Sequence, residues 1–190
     1  MDNSMTWREW FAWVLFGKRP EPLPPNTNPW PTQPPSANET AAKLLILHND
    51  YRAERRVSIL SLNGKLCTAA QVHADAMAKA DRMSHQLPGE PVVSDRIATA
   101  GYLYRSCGEN IAAGQTTPAS VFRDWIGSPP HRNNILNPAY WNVGFGVAVS
   151  AKGWIYWCVV FGQPPSSMQL ASGVTSTFTH TAGGVTRWRA

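Results

Sequence analysis

The sequence has little charge: only 15% of its 190 residues are Asp, Glu, Lys or Arg, against about 25% in ordinary globular domains. This low fraction argues against a highly charged disordered chain and against a coiled coil. The chain has no Gly-rich phosphate loop, no Gly-x-Ser-x-Gly motif and no His-Glu-x-x-His motif, so the enzyme classes marked by those motifs are not indicated. Its net charge of +5 forms no basic block, so no nucleic-acid partner is expected.

Long hydrophobic runs are also missing. The apolar stretch from Trp10 to Phe16 is far shorter than the roughly 20 residues of a membrane-spanning helix. Acidic Asp2 and Glu9 precede this stretch and Lys18-Arg19-Pro20 follows it, whereas a secretory signal begins with basic residues and ends at a small-residue cleavage site. We therefore expect no transmembrane span and no convincing cleavable signal peptide.

Cysteine is scarce and odd in number. The three residues, Cys67, Cys107 and Cys158, lie in apolar stretches without metal-ligand spacing, which predicts buried free thiols. One disulfide is the alternative if the protein functions outside a cell, and the sequence does not choose the pair.

The N-terminal segment carries an aromatic helical pattern. Trp7, Trp10, Phe11 and Val14 fall at i, i+3, i+4 and i+7, the spacing of one helix face. So short a helix is marginal alone in water, so residues 1–19 are predicted to form an anchor lying on a partner. A protein partner is expected, with the chain's own domain and a membrane interface as alternatives.

Composition and periodicity divide the rest of the chain into three parts. Residues 20–37 are proline-rich and predict an extended linker, residues 38–163 a folded domain, and residues 164–190 a Ser/Thr/Gly-rich tail without a core. Four helices are predicted by caps and apolar spacing: Asn38 to about Arg56, Leu66 to about Met83, Ser94 to Gly101, and Pro118 (with Thr117 as cap) to just before Pro129. Alternation over Val143–Val149 and Trp154–Phe161 predicts an antiparallel hairpin, so the fold class is α+β.

Five short motifs in fixed order make the sequence recognisable. They are His48-Asn49 with Arg52, Ser84-His85, Asp95-Arg96 with Gly101-Tyr102, Gly108-Glu109-Asn110-Ile111-Ala112, and the segment from Trp125 through His131 to Leu136. Together they resemble the CAP superfamily (cysteine-rich secretory proteins, antigen 5, pathogenesis-related-1), in particular its bacterial sperm-coating-protein-like branch. The resemblance covers about residues 40–163.

The resemblance implies an α-β-α sandwich, with helices packed on both faces of a small antiparallel sheet, and a solvent-open cleft. In the family that cleft holds two histidines and two acids, and the histidines can bind a divalent metal, often zinc. Carried over, His85 and His131 are the imidazoles and Glu109 is one acid, while Ser128 stands where the second acid is expected. A weak Zn²⁺ site on these three residues is therefore one expectation; Glu109 orienting a histidine, or a purely structural network, is the alternative. The residues expected to line the cleft are Ser128, Asn110 and Arg132.

Two further histidines receive structural interpretations. His73 lies on the apolar side of its helix and is expected in or near the core, while His48, with Asn49 and Arg52, is expected to tie the first helix to neighbouring loops.

Three functions compete. The first is a binding module whose cleft engages a peptide, a lipid or a cell-wall component, held in place by its extensions, with an extracellular, cell-surface or virion-associated location. The second is a hydrolase, in which Glu109 is the catalytic base for metal-bound water. The third is a structural or virion assembly protein, whose protein partners are contacted through residues 1–19 and residues 164–190.

Overall fold

The structure, a computed structural model, describes residues 37–166. The predicted anchor, nearly all of the predicted linker and most of the predicted tail lie outside these residues. The described segment contains five helices, α1 Ala37–Glu54, α2 Gly64–Ala80, α3 Val93–Thr99, α4 Pro118–Gly127 and α5 Pro129–Leu136. Its four strands are β1 Ser61–Leu62, β2 Ser106–Ala113, β3 Asn142–Val149 and β4 Ile155–Gln163.

One four-stranded sheet in the order β1-β3-β4-β2 forms the centre of the domain. The predicted hairpin is present: β3 and β4 pair antiparallel, and β2 joins the other edge of β4, also antiparallel. The two-residue strand β1 pairs with β3 in parallel. A strand this short has no periodicity, so it was not predicted from the sequence.

Helices cover both faces of the sheet, as the α-β-α prediction requires. Alternate residues of β4 divide between two hydrophobic clusters: Trp157, Val159 and Phe161 face the side of α1, α4 and α5. Tyr156, Cys158 and Val160 face the side of α2 and α3. Because successive strand side chains point to opposite faces, this division confirms the predicted three-layer sandwich.

Helix α2 lies unusually close to β3. A Cβ atom added to Gly144 would lie 2.1 Å from the carbonyl carbon of Leu66, and one added to Gly146 would lie 2.4 Å from that of Ala70. The two glycines therefore let backbone pack on backbone, which fixes the height of α2 above the sheet. The segment that follows α2 carries the candidate site.

Side chains cap backbone groups of β2 and of the part of β3 that the short strand β1 leaves unpaired. On β3, the Gln71 amide donates to the Val147 carbonyl at 2.9 Å and accepts from the Val147 amide at 3.2 Å. On β2, the indole of Trp125 donates to the Ile111 carbonyl at 3.2 Å. Capped edges of this kind are protected from pairing with another chain.

The helix boundaries follow the predictions at one cap and differ at others. Thr117 caps α4 through a reciprocal capping box with Ser120, as predicted. Asn38 lies inside α1 rather than capping it, and α3 begins with Val92 in the cap position, so Ser94 is not its cap. Each of the first three helices ends two or three residues before its predicted end.

Helix α5 was not predicted. Pro129 and Pro130 were interpreted only as the end of α4, yet they occupy the first turn of a new helix. Proline suits that position because its missing N–H has no partner within a first turn and its fixed φ already matches the helix.

Candidate functional site

An exposed histidine and a buried carboxylate form the centre of the site. His85 lies in the segment that joins α2 to α3, and Glu109 lies on β2. The two meet at 2.8 Å, Nδ1 of His85 donating to Oε1 of Glu109. The His85 side chain is 61% exposed and that of Glu109 only 3%, so the imidazole is held from below and presents its other edge to solvent.

Both oxygens of the Glu109 carboxylate have close partners. Its Oε2 accepts from Nη2 of Arg96 and lies 3.5 Å from the Cys158 thiol, and its Oε1 is also 3.9 Å from Nε2 of His73. Burial raises the pKa of Glu109, but the hydrogen bond from His85 and the positive charge of Arg96 outweigh it, so this pKa lies below its usual value. The carboxylate is thus ionised and fixed, which suits it to orienting a histidine.

The second predicted imidazole, His131, is in the first turn of α5. Its backbone carbonyl accepts from the Asn110 amide at 3.0 Å, and Asn134 donates to the Glu109 carbonyl at 3.1 Å and to Asn110 Oδ1 at 2.9 Å. These amides tie α5 to β2 beside Glu109. Burial, together with the charge of nearby His85, lowers the pKa of His131, which favours its neutral form.

The three residues expected to line the cleft take different places. Asn110 is fully buried and supports α5 from beneath. Ser128 is half-buried in the cap position of α5 without a side-chain cap bond. Arg132 is half-buried and donates from Nη1 to the Ile126 carbonyl at 2.9 Å.

Within residues 37–166, no three His, Cys, Asp or Glu side chains are grouped so as to hold a metal ion. The Glu109 oxygens already accept hydrogen bonds from Arg96 and His85. What the site offers a cation is the outer edge of His85, while His131 lies on α5, which is tied to β2 next to Glu109.

Part of the site was not predicted from the sequence. His73 is fully buried, as expected, but it is also paired: its Nδ1 lies 2.6 Å from Oε1 of Glu90. Arg96 belonged to a recognised motif and received no role, although it contacts Glu109. The available signal was a glutamate, Glu90, just before the short helix α3 and an arginine, Arg96, within it.

The three residues of the motif on α1, His48, Asn49 and Arg52, contact different parts of the domain. Asn49 makes two hydrogen bonds with the backbone of Leu60, and Arg52 donates to the carbonyls of Ile135 and Tyr140. Asn49 thus ties α1 to the loop before β1, as expected, and Arg52 ties it to the end of α5 as well as to the expected loop. For His48 that expectation was wrong, because its ring packs among aromatic residues on the other side of the sheet from Glu109: Phe122, Trp125, Phe145 and Phe161.

The cysteines are free thiols, and the disulfide alternative is not realised. Cys158 is buried, while Cys67 and Cys107 are half-buried. Burial raises the pKa of all three, most strongly for Cys158, so none is an activated nucleophile.

Comparison with known proteins agrees with this architecture. The sequence profile of the cysteine-rich secretory protein family, CAP, matches residues 45–161, more than half of the chain. The chain therefore belongs to the CAP family, which confirms the resemblance.

A relative and two solved structures illustrate the membership. YkwD of Bacillus subtilis (strain 168) is 32% identical over 128 residues, which are 67% of this chain and 50% of YkwD; the chain spans about half the length of that relative. An extracellular protein containing an SCP domain from Bacillus anthracis str. Ames has a TM-score of 0.60 and 24% identity, covering 67% of this chain and 41% of that chain. An outer surface protein from Borrelia burgdorferi has a TM-score of 0.64 and 18% identity, covering 70% and 98%. These two likenesses show the fold.

Over the described residues 37–166, none of the helices is long and apolar enough to cross a membrane.

Proposed function

We propose that this CAP domain is an extracellular binding and display module whose His85–His131 surface takes a divalent cation, with Zn²⁺ as the best match. One observation carries the proposal: Nδ1 of His85 donates to the buried Glu109, so the neutral imidazole keeps the lone pair of Nε2 on its exposed side. The extracellular location is supported by the names of the two solved relatives, an extracellular protein and an outer surface protein.

The donor types suit zinc, and their small number predicts weak binding. Imidazole nitrogen is a preferred zinc ligand, and a carboxylate behind a ligating histidine is the usual arrangement that orients it. His85 and His131 would be the ligands, with Glu109 as the orienting carboxylate. Two protein ligands hold the ion loosely, and a bound Zn²⁺ would supply a positive charge that attracts carboxylate or phosphate groups of a cell-wall, lipid or peptide ligand.

The same geometry favours binding over hydrolysis. A general base must be free to accept a proton, whereas Glu109 is bonded to Arg96 and His85 and its pKa is lowered. Ser128 stands where the family's second acid is expected. Hydrolysis of peptide or cell-envelope substrates by Glu109-activated water is therefore the weaker candidate.

Calorimetric titration with Zn²⁺ at neutral pH tests the cation site. We expect weak binding to the full chain, a loss of heat in His85→Ala and His131→Ala, and weaker binding below about pH 6, where imidazoles become protonated. His180→Ala is the matched control, because it removes an imidazole from the tail. Equal heats for wild type and His131→Ala would contradict the site.

The extensions complete the proposal. The face of Trp7, Trp10, Phe11 and Val14 would anchor the chain on a protein partner of a particle or envelope, with residues 164–190 as a second contact. Fully extended, the 18 residues 20–37 would span about 55 Å at ~3.1 Å each. Deletion of residues 1–19 is expected to release the protein from its native assembly; retention of the truncated chain would contradict the anchor.

A further inference from the structure

The strongest unassigned feature of the described chain is a buried charge cluster beneath the site. Glu90, Arg96 and Glu109 are 11%, 4% and 3% exposed at their side chains, and His73 is fully buried. Burying this many ionisable groups is costly unless each has a partner. Arg96 is the member that contacts both the carboxylate and the segment carrying His85.

One guanidinium makes all of these contacts. Nη2 of Arg96 donates to Glu109, while Nη1 donates to the His85 carbonyl at 3.2 Å and to the Pro91 carbonyl at 2.7 Å. His85 and Pro91 bracket the turns that lead from α2 into α3. The two arms therefore hold both ends of this segment and the acid below it.

The His85 ring is positioned at two points, and both depend on Arg96. Its backbone is held through the carbonyl that accepts from Nη1, and its Nδ1 is held by Glu109, which accepts from Nη2. Among the described residues, Arg96 alone donates hydrogen bonds both to the His85 carbonyl and to the Glu109 carboxylate.

We infer that Arg96 is the positioning residue of the candidate site, fixing the place and tautomer of the His85 imidazole through its forked contacts to Glu109 and to the 85–91 segment. The inference rests on the proposed function only in taking the outer nitrogen of His85 as the ligand-binding atom. A lysine keeps the charge but presents a single ammonium in place of the planar fork, so it cannot serve both arms.

The test compares Arg96→Lys with Arg52→Lys in the full-length chain. Arg52 is the matched control, since it is also buried and donates to backbone carbonyls, at Ile135 and Tyr140. The readout is the ¹⁵N spectrum of the histidine rings at neutral pH, assigned with His85→Ala. Wild type and Arg52→Lys are expected to show the Nδ1–H tautomer for His85, and Arg96→Lys the tautomer mixture of a free imidazole, with a 10–100-fold weaker zinc affinity.

Three results separate the possibilities. An unchanged His85 spectrum in folded Arg96→Lys overturns the inference, as does an equal change in Arg52→Lys. Absence of zinc binding to wild type defeats the proposed cation site alone, because the ring spectrum needs no metal.

If Arg96→Lys does not fold, the NMR signals of the Arg96 guanidinium in the wild-type protein test the inference instead. Arms bonded to different partners give separate Nη–H resonances for Arg96, whereas one averaged signal from a freely rotating group would overturn the inference.

Discussion

Two histidines of this domain are completely buried, and they lie on opposite sides of the sheet in opposite surroundings. His48 on α1 packs among aromatic rings, and its Nδ1 contacts only a carbonyl of its own helix, that of Leu44, at 2.8 Å. His73 on α2 lies against Glu90 and within 3.9 Å of Glu109. The surroundings of the two histidines therefore differ: the α1 layer encloses His48 in aromatic rings, whereas the α2–α3 layer places His73 among the buried charges that support the site.

The largest expected effect on stability comes from removing a charge from the buried cluster of the α2–α3 layer. Arg96→Leu removes the cation that pairs with Glu109 and lies 3.8 Å from Glu90, so the free energy of unfolding is expected to fall by about 3–5 kcal/mol, the usual cost of an unpaired buried charge. Urea denaturation measures it. The double variant with Glu109→Leu is the control and should regain part of the loss, since it removes one stranded carboxylate; a fall below about 1 kcal/mol in the single variant would contradict the comparison.

Acid is expected to destabilise the folded domain through His48 in the α1 layer. Burial lowers the pKa of His48 from 6.5 to about 4; the Leu44 carbonyl opposes this shift and the charge of Arg52 adds to it. The unfolded chain therefore binds the proton first, so this contribution to stability is complete above pH 6.5 and is lost as pH falls from 6.5 towards 4. At about 1.4 kcal/mol per pKa unit it amounts to roughly 3 kcal/mol.

Urea midpoints across that pH range measure the loss. His48→Leu has no group to protonate at this position and is expected to show a correspondingly shallower decline. Parallel declines in wild type and variant would show that other groups set the acid sensitivity.

A matched pair of substitutions compares the two histidines directly. His73→Phe removes the imidazole that serves the Glu90 carboxylate and is expected to cost about 1–3 kcal/mol. His48→Phe puts a ring among rings and should cost less than about 1.5 kcal/mol. Thermal unfolding of both variants at neutral pH gives the ranking, and a reversed order would overturn the division between the layers.

The sequence predicted the parts of this fold that repeat along the chain or form motifs. Apolar spacing located α2, alternation located the β3–β4 hairpin, and Thr117-Pro118 located the start of α4. It failed at α5, where proline both ends one helix and begins the next, and at β1, whose two residues are defined only by their partner strand.

For the site, motif order placed His85, Glu109 and His131 in one cleft, and a hydrogen bond joins the first two. The support beneath them could not be predicted in the same way. His73 and Arg96 come close to Glu109, and Glu90 to both of them, only when α2, α3 and β2 pack together. An isolated charge near an apolar stretch does not indicate from which distant element its partner will come.

The smallest effect on stability is expected at the most exposed member of the cluster. His85→Ala removes a side chain that is 61% exposed, and surface substitutions usually stay within about 0.5 kcal/mol. Glu109 keeps its contact with Arg96, and Arg96 keeps the carbonyls of the 85–91 segment, so the segment should stay in place while the heat of zinc binding disappears. Denaturation and calorimetry on the same preparation check both halves. A loss above about 1 kcal/mol would mean that the ring holds the segment and the arginine does not, which reverses the order of support inferred for Arg96.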